Sequence, residues 1–247
     1  METLKIAVLG TGPVGRAVAG RLDGLGHEVA IGTRDADDTA GREEYAAWAA
    51  DNSGVRLSTF AEAAAGADLV VNASGGDVAL GILDAVGTDN LAGKVLLDIS
   101  NPLDHSHGFP PQLFVKDDDS LAESIQRAHP DARVVKSLNT MNNALMADPQ
   151  RLGENTTVFV SGDDADAKAT VTELLRAIGH GDVIDLGGIE TARGPEMYLS
   201  LWIRTALALG GNDFNIKVVR GPSLGLGFAW VANTRRQQPR RSPLPRW

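Results

Sequence analysis

The sequence predicts an α/β fold with a doubly wound, mostly parallel sheet, and three observations support this prediction. Short apolar runs such as Lys5–Leu9 are typical of strands that are buried on both faces. Amphipathic helical patterns such as Ala165–Ile178 separate these runs. The 28 glycines suit many tight turns between strands and helices. Because strands that alternate with helices pair in parallel through right-handed crossovers, one layered sheet is expected.

The strand patterns occur seven times and are followed by one further helix. We predict strands at Lys5–Leu9, Glu28–Ile31, Asp68–Ala73, Lys94–Ile99, Arg133–Leu138, Thr157–Ser161 and Val183–Asp185. We predict helices at Val14–Leu25, Arg42–Ala50, Thr59–Ala65, Val78–Val86, Leu121–Ala128, Ala165–Ile178 and Pro195–Leu209. Residues 103–118 have the pattern of an irregular loop. The chain therefore divides into a sheet domain over residues 1–188, a C-terminal helical segment over 189–220 that packs on it, and a basic, proline-rich tail over 221–247.

Composition narrows the class of protein. The chain has 247 residues and 43% hydrophobic residues, enough for a packed core. It has no cysteine, which excludes disulfides and thiolate metal sites. No apolar run approaches the roughly 20 residues that a membrane-spanning helix needs, and the N-terminus runs directly into a strand. We therefore expect a cytoplasmic protein with no membrane partner.

Charge is spread unevenly along the chain. The net charge is −9, but residues 233–247 contain five arginines and no acid, so that removing these five charges leaves −14 on the rest. An acidic body argues against nucleic-acid binding. The tail could contact RNA or an acidic partner, but its prolines and lack of apolar pattern favour a solvated terminus.

A glycine-rich motif directly follows the first strand and opens the first helix. The six residues fit the pattern G-x-G-x-x-G, the fingerprint of dinucleotide-binding Rossmann folds: Gly10, Thr11, Gly12, Pro13, Val14 and Gly15. The first glycine permits a tight turn, the second lets the backbone approach a pyrophosphate, and the third lets the helix pack on the strand. The amides of the first helical turn then face the phosphates. We expect these six residues to bind a dinucleotide.

The end of the second strand indicates which dinucleotide is bound. An NAD site carries an acid there for the ribose 2′-hydroxyl, but this strand leads into Thr33 and Arg34. A guanidinium pairs well with a 2′-phosphate, which a carboxylate would repel. The sequence therefore favours NADP over NAD, although a solvated loop arginine is the alternative.

Small and amide-bearing residues follow the next strands, at the sheet edge where such folds bind the reacting part of their ligands. We expect the residues at these strand ends to line the reacting part of the binding site: Ala73, Ser74 and Gly75; Asn101 and Pro102; and Asn139, Thr140 and Met141. We assign no catalytic acid, base or nucleophile. Lys136 is expected to extend its amino group to the surface. The fragment Asp104–His107 lacks the remaining ligands of a closed metal site, so no metal is expected.

The chain resembles the coenzyme F-420-dependent NADP oxidoreductases, the deazaflavin–NADP reductase group. The resemblance rests on residues 10–15, on the path from Leu25 to Arg34, and on three later segments: residues 100–103, residues 136–141, and residues 192–217. It implies NADP and coenzyme F-420 as cofactors, a C-terminal helix that completes the acceptor pocket, and a homodimer. Since exchange of a hydride between two cofactors needs mainly alignment, this function fits the missing acid–base pair.

Two other functions are compatible with the same residues. The chain could be an NADPH-dependent reductase of a flavin or another small acceptor. Related carbonyl and imine reductases add a long helical domain, however, and only about 60 residues follow Asp185 here. It could also be a module that senses NADPH without turnover, since no catalytic acid is required of it.

Overall fold

The computed structural model of the chain describes residues 2–221 and confirms the α/β fold with a mostly parallel sheet. The strands are β1 (Lys5–Leu9), β2 (Glu28–Thr33), β3 (Arg56–Thr59), β4 (Leu69–Asn72), β5 (Val95–Asp98), β6 (Leu103–Asp104), β7 (Gln112–Leu113), β8 (Arg133–Lys136), β9 (Thr157–Ser161) and β10 (Asp182–Gly187).

Helices separate the strands of the main sheet, as the sequence predicts. They are α1 (Pro13–Gly24), α2 (Ala36–Ala40), α3 (Glu43–Asp51), α4 (Phe60–Ala65), α5 (Ala79–Val86), α6 (Thr88–Leu91), α7 (Leu121–Ala128), α8 (Asn143–Ala147), α9 (Ala165–Ile178), α10 (Arg193–Met197) and α11 (Leu199–Leu209). Short 3₁₀ turns cover Pro149–Leu152 and Ile189–Ala192.

Eight strands form the main sheet in the order β10-β9-β8-β5-β4-β1-β2-β3. The order reverses on the two sides of β1, since β2 lies on one side and β4 on the other. The carboxyl ends of β1 and β4 therefore diverge into loops on opposite faces. Ligands bind at such a reversal in doubly wound sheets.

The core has two layers because alternate side chains of each buried strand point to opposite faces. In β1, Ile6 and Val8 pack with α1 and α9 on one face. Ala7 and Leu9 pack with α4, α5 and α7 on the other. Because both faces are buried, the central strands are continuous apolar runs in the sequence and do not alternate between apolar and polar residues.

Two features of the sheet differ from the prediction. The edge strand β3 was not expected, because Arg56–Thr59 is short and mostly polar, and pairing with β2 rather than an apolar pattern makes it a strand. The strands β8 and β9 pair antiparallel, through Lys136 and Ser161. The connection between them carries a 3₁₀ turn and the short helix α8, which packs on α1. The loop after β5 also contains a small hairpin, β6–β7.

The predicted helix Pro195–Leu209 is two helices, α10 and α11, that meet at Tyr198. Its apolar sequence is typical of a core helix, but only part of it is buried. Leu199 and Ile203 are buried, but the side chains of Leu201, Leu207 and Leu209 are 61%, 54% and 65% exposed. On the partly buried face of α11, the ring of Trp202 stacks on that of Phe214 with 5.5 Å between centroids.

The chain as far as Lys217 forms one compact unit. The domain boundaries at residues 188 and 220 stay predictions. The arginine-rich tail lies outside the described residues. Within residues 2–221, no helix combines the length and the apolar character that crossing a bilayer requires.

Candidate functional site

The three glycines of the G-x-G-x-x-G motif, Gly10, Gly12 and Gly15, have different surroundings. Gly10 has φ +121°, and a Cβ there would lie 2.9 Å from the Ala73 carbonyl oxygen. A Cβ on Gly15 would clash with the carbonyl of Gly10. At Gly12, by contrast, φ is −72° and a Cβ would meet nothing within 4 Å. The fold itself therefore explains Gly10 and Gly15, whereas the absence of a side chain at Gly12 leaves open space for a ligand.

Helix α1 begins at this open space. Pro13 occupies the first helical position, where its missing amide hydrogen costs nothing. No side chain caps the first turn, and the first turn has no acidic residue. The helix N-terminus therefore presents amides and the positive end of its dipole to the space beside Gly12, which suits a pyrophosphate.

Thr33 and Arg34 line a cavity of about 490 Å³, which we call the nucleotide cavity. The Thr33 hydroxyl is buried and shares a hydrogen bond of 2.9 Å with the Thr39 hydroxyl, so that it anchors α2. The Arg34 side chain is exposed. The carboxylate of Asp35 accepts a hydrogen bond from the Asp38 amide and caps α2. Arg34 therefore provides a positive charge at the end of β2, whereas the carboxylate of Asp35 is already bonded to the first turn of α2.

A second cavity, of about 380 Å³, lies at the carboxyl ends of the central strands, and we call it the central cleft. The predicted residues that line it are Val14, Ala73, Ser74, Gly75, Asn101, Asn139 and Met141. Leu199, Trp202 and Ile203 of α11 close its other side. The structure thus brings the three predicted strand ends together with the C-terminal helix around one space.

Two predicted residues do not line the central cleft. Pro102 is buried, and its carbonyl accepts a hydrogen bond of 3.0 Å from the Phe114 amide, which fixes the start of the hairpin. Thr140 is buried as well, and its hydroxyl has no hydrogen-bond partner among the described residues. Both support the loops that carry their neighbours Asn101 and Asn139.

The two cleft asparagines bind each other. Asn139 donates through Nδ2 to Asn101 Oδ1 at 3.0 Å, and Asn101 donates through Nδ2 to the Asn139 carbonyl at 3.2 Å. Asn139 Nδ2 also donates to the Pro195 carbonyl at 3.0 Å. The preceding residue, Leu138, has φ +60°, a conformation that a non-glycine residue adopts only where its surroundings enforce it. The loops after β5 and β8 and the start of α10 are therefore held in one arrangement.

The expectation that Lys136 reaches the surface is wrong. Its side chain is fully buried, and Nζ lies 2.7 Å from Asp98 Oδ2 and 3.0 Å from Glu196 Oε1. It also donates to the Ser100 carbonyl at 2.6 Å. Burial by itself lowers the pKa of Lys136, but the two carboxylates outweigh burial and raise that pKa, so the ammonium stays charged.

This buried ion network reaches the lining of the central cleft. Asp98 Oδ1 accepts hydrogen bonds from Asn72 Nδ2 at 2.8 Å and from Ser100 Oγ at 2.7 Å. Asn72 Oδ1 in turn accepts a hydrogen bond from Ser74 Oγ at 2.6 Å. The orientation of Ser74 at the cleft therefore depends on charges that lie beneath it.

The sequence contains a signal for part of this network. Asp98 and Lys136 each interrupt an apolar run near its end. The register places them side by side on β5 and β8. Opposite charges at matching positions of adjacent buried strands predict a buried pair, but only after the strand order is known. Glu196 gave no such signal, because it lies 60 residues after Lys136.

The structure adds His105 to the residues of the central cleft, where it also borders a neighbouring cavity of about 530 Å³. Nearby, Ser106 Oγ and His107 Nδ1 share a hydrogen bond of 2.8 Å, and the Ser106 amide donates to Asp104. Among residues 2–221, no three His, Cys, Asp or Glu side chains are grouped as a metal site would require.

Comparison with known proteins identifies relatives of this chain. The family model for the coenzyme F420-dependent NADP oxidoreductases matches residues 5–102. The F420-dependent NADP reductase of Methanothermobacter marburgensis is 31% identical over 225 residues, which cover 89% of this chain and 100% of that protein. A crystal structure from Arthrobacter sp. FB24, described as a candidate F420-dependent NADP reductase, has a TM-score of 0.86 and 57% identity. It covers 88% of this chain and 100% of its own.

A further relative is named for a different activity. The metalloreductase STEAP3 of Rattus norvegicus is 33% identical over 215 residues. The match covers 85% of this chain but only 40% of the rat protein's length. The similarity thus concerns one part of that larger protein.

Proposed function

This chain belongs to the family of F420-dependent NADP reductases, and on that premise we propose that it transfers a hydride between NADP(H) and a deazaflavin coenzyme of the F420 type. Family membership confirms the class that the sequence predicts, an NADP-dependent oxidoreductase, and the cofactor pair NADP and F420. The direction of hydride transfer and the residues that carry it are the proposal.

The observation that carries the proposal is the central cleft, which has one wall from the dinucleotide-binding half and another from α11. Ser74, Asn101 and Asn139 lie in the loops after β4, β5 and β8, and they form the first of these walls. Leu199, Trp202 and Ile203 provide an apolar wall opposite them. A planar acceptor held against that wall would face a nicotinamide held by the strand ends. Such a cleft suits the transfer of a hydride between two rings.

In the hydride step itself, the residues of this chain would bind and align the two rings rather than react. The open space at Gly12 and the uncapped start of α1 suit the pyrophosphate, and Arg34 suits the 2′-phosphate. The paired amides of Asn101 and Asn139 offer polar groups for the nicotinamide end. The hydride itself is supplied by NADPH, so alignment at short range is the main contribution of the protein to this step.

The proposal is tested by mixing the protein with NADPH and oxidised F420 in a stopped-flow instrument. We expect loss of the deazaflavin absorbance together with oxidation of NADPH at equal rates. NADPH binding without loss of the deazaflavin band would rule the proposal out.

The similarity to a metalloreductase favours one second candidate, an NADPH-dependent reductase of flavin or another small acceptor. The same experiment with FMN and FAD in place of F420 distinguishes the two. Turnover with a flavin but not with F420 would favour the second candidate. NADPH binding without turnover by any acceptor would favour a sensing module.

A further inference from the structure

We propose that His105 is a catalytic residue that supplies positive charge, and then a proton, to the acceptor in the central cleft. This inference rests on the proposed function, because it concerns the acceptor half of the same reaction. The sequence predicted no acid–base residue, and the hydride step alone needs none.

The charge balance of the reaction calls for such a group. When NADPH gives up a hydride, the C–H bond of its nicotinamide breaks and NADP⁺ forms. The acceptor gains that hydride, with its two electrons, and one negative charge. A conjugated acceptor such as a deazaflavin or flavin then takes up one proton on a ring nitrogen to complete its reduction. The overall reaction therefore consumes NADPH, oxidised acceptor and one proton.

The central cleft has one side chain that meets this need. Among the described residues that line it, His105 alone can carry a positive charge, since the rest are apolar, hydroxyl, amide or backbone groups apart from the acid Asp77. An imidazole gains and loses its charge between about pH 5 and 8 and is the commonest general acid in enzymes. The imidazolium N–H would pass its proton to the reduced acceptor, and solvent would restore it.

The position of His105 allows this exchange with solvent. The residue is exposed, follows β6 in the hairpin, and borders both the central cleft and the cavity beside it. Two acids share those cavities with it: Asp77 from the loop before α5, and Asp104 from β6. The described contacts give the His105 ring no hydrogen bond, whereas the ring of His107 is bonded to Ser106. His105 is thus free to bond to a ligand.

The hairpin provides a matched control. His107 lies two residues along the same exposed loop but lines neither cavity. A His107→Gln variant therefore removes the same kind of side chain from the same loop without changing the cleft. Both substitutions are at exposed positions, so we expect the fold to be retained.

The test compares wild type, His105→Gln and His107→Gln in single turnovers of NADPH with oxidised F420 between pH 5.5 and 8.5. We expect the wild-type rate constant to fall as the pH rises, because the reaction takes up a proton that His105 supplies. His105→Gln should be about 100-fold slower at the lowest pH, near the lower end of the usual effect of a general acid, with a flat profile. His107→Gln should match wild type.

A second measurement needs no turnover. Under anaerobic conditions at pH 6, His105→Gln should bind reduced F420 about tenfold more weakly than wild type, and oxidised F420 equally well. Wild-type rates and affinities in His105→Gln would overturn the role of His105 alone. Absence of F420 reduction by the wild-type protein would instead overturn the proposed function, and this inference with it.

Discussion

At the scale of single residues, the glycine motif separates what the fold needs from what a ligand needs. Gly10 and Gly15 face backbone atoms that would clash with a side chain, whereas Gly12 faces open space. Arg34 is exposed beside the nucleotide cavity, while the adjacent acid Asp35 caps α2. Two residues, Gly12 and Arg34, are therefore explained better by a bound dinucleotide than by the protein itself.

Substitution of these two residues should separate the pyrophosphate from the 2′-phosphate. Gly12→Ala should weaken NADPH and NADH alike, by about tenfold or more, because both ligands share the pyrophosphate that the backbone approaches. Arg34→Ala should weaken NADPH by about 30-fold, equivalent to roughly 2 kcal/mol for a charged hydrogen bond, and leave NADH nearly unchanged. Fluorescence titration with each nucleotide measures both effects.

The fold provides the control for Gly12→Ala. The free energy of unfolding of that variant should stay within about 1 kcal/mol of wild type, since its φ suits alanine. Gly15→Ala should be clearly destabilised, because its Cβ would clash with the Gly10 carbonyl. Unchanged nucleotide binding in Gly12→Ala would contradict the pyrophosphate assignment, and equal losses in Arg34→Ala would contradict the 2′-phosphate assignment.

At the scale of elements, the buried ion network joins parts of the chain that are far apart in sequence. Lys136 of β8 binds Asp98 of β5 and Glu196 of α10. Glu196 also accepts hydrogen bonds from the amides of Leu121 and Ala122 at the start of α7, where the helix dipole favours an anion. Two strands and two helices therefore meet at one set of charges beneath the cleft.

Removal of the cation from this network should be costly. In Lys136→Met, two carboxylates would stay buried without their partner, so we expect the free energy of unfolding to fall by about 3–5 kcal/mol. Lys217→Met breaks an ion pair with Glu154 in which both side chains are at least half exposed, and should cost less than about 1 kcal/mol. Urea unfolding measures both. Similar small losses in the two variants would show that the buried pair has little structural importance.

At the scale of the whole molecule, the stability should depend on pH through His180. This residue is buried after α9, and its Nε2 lies 3.2 Å from the Met146 carbonyl oxygen. Burial lowers the pKa of His180 to about 4, although the hydrogen bond to Met146 opposes this shift. In the unfolded chain a histidine titrates near 6.5, so between these two values the unfolded state binds more protons.

Stability should therefore fall as the pH falls through this window. Linkage gives a loss of about 2 kcal/mol from His180 between pH 7.5 and pH 5. His180→Asn, which cannot take up the proton, should lose about 2 kcal/mol less over the same interval. Urea unfolding at the two pH values gives the comparison. An equal loss in wild type and variant would show that other groups cause the dependence.

The predicted homodimer and cytoplasmic location stay predictions. A dimer that used the C-terminal helix would have to bury Leu201, Leu207 and Leu209, which are exposed on α11 in the single chain. Sedimentation of the purified protein would determine its state of assembly.

The sequence alone determined features that depend on a few neighbouring residues. Apolar runs and helical spacing predicted the alternating elements, and the glycine motif with Arg34 predicted an NADP site, because backbone conformation and local charge are set over short distances. Even the convergence of Ser74, Asn101 and Asn139 followed from the rule that parallel strands end at one edge.

Only the tertiary structure decided which distant side chains meet. The local sequence predicts that Lys136 reaches the surface, but in the structure this lysine is paired with Asp98 and Glu196. In the sequence, His105 belongs to a fragment that has too few ligands for a metal site, but in the structure the hairpin places it at the central cleft. The apolar sequence of Leu199–Leu209 is typical of a core helix, but three of its leucines are exposed in the structure. In each case the environment of the side chain is formed by elements that lie dozens of residues away in the sequence. The local sequence pattern therefore cannot predict that environment.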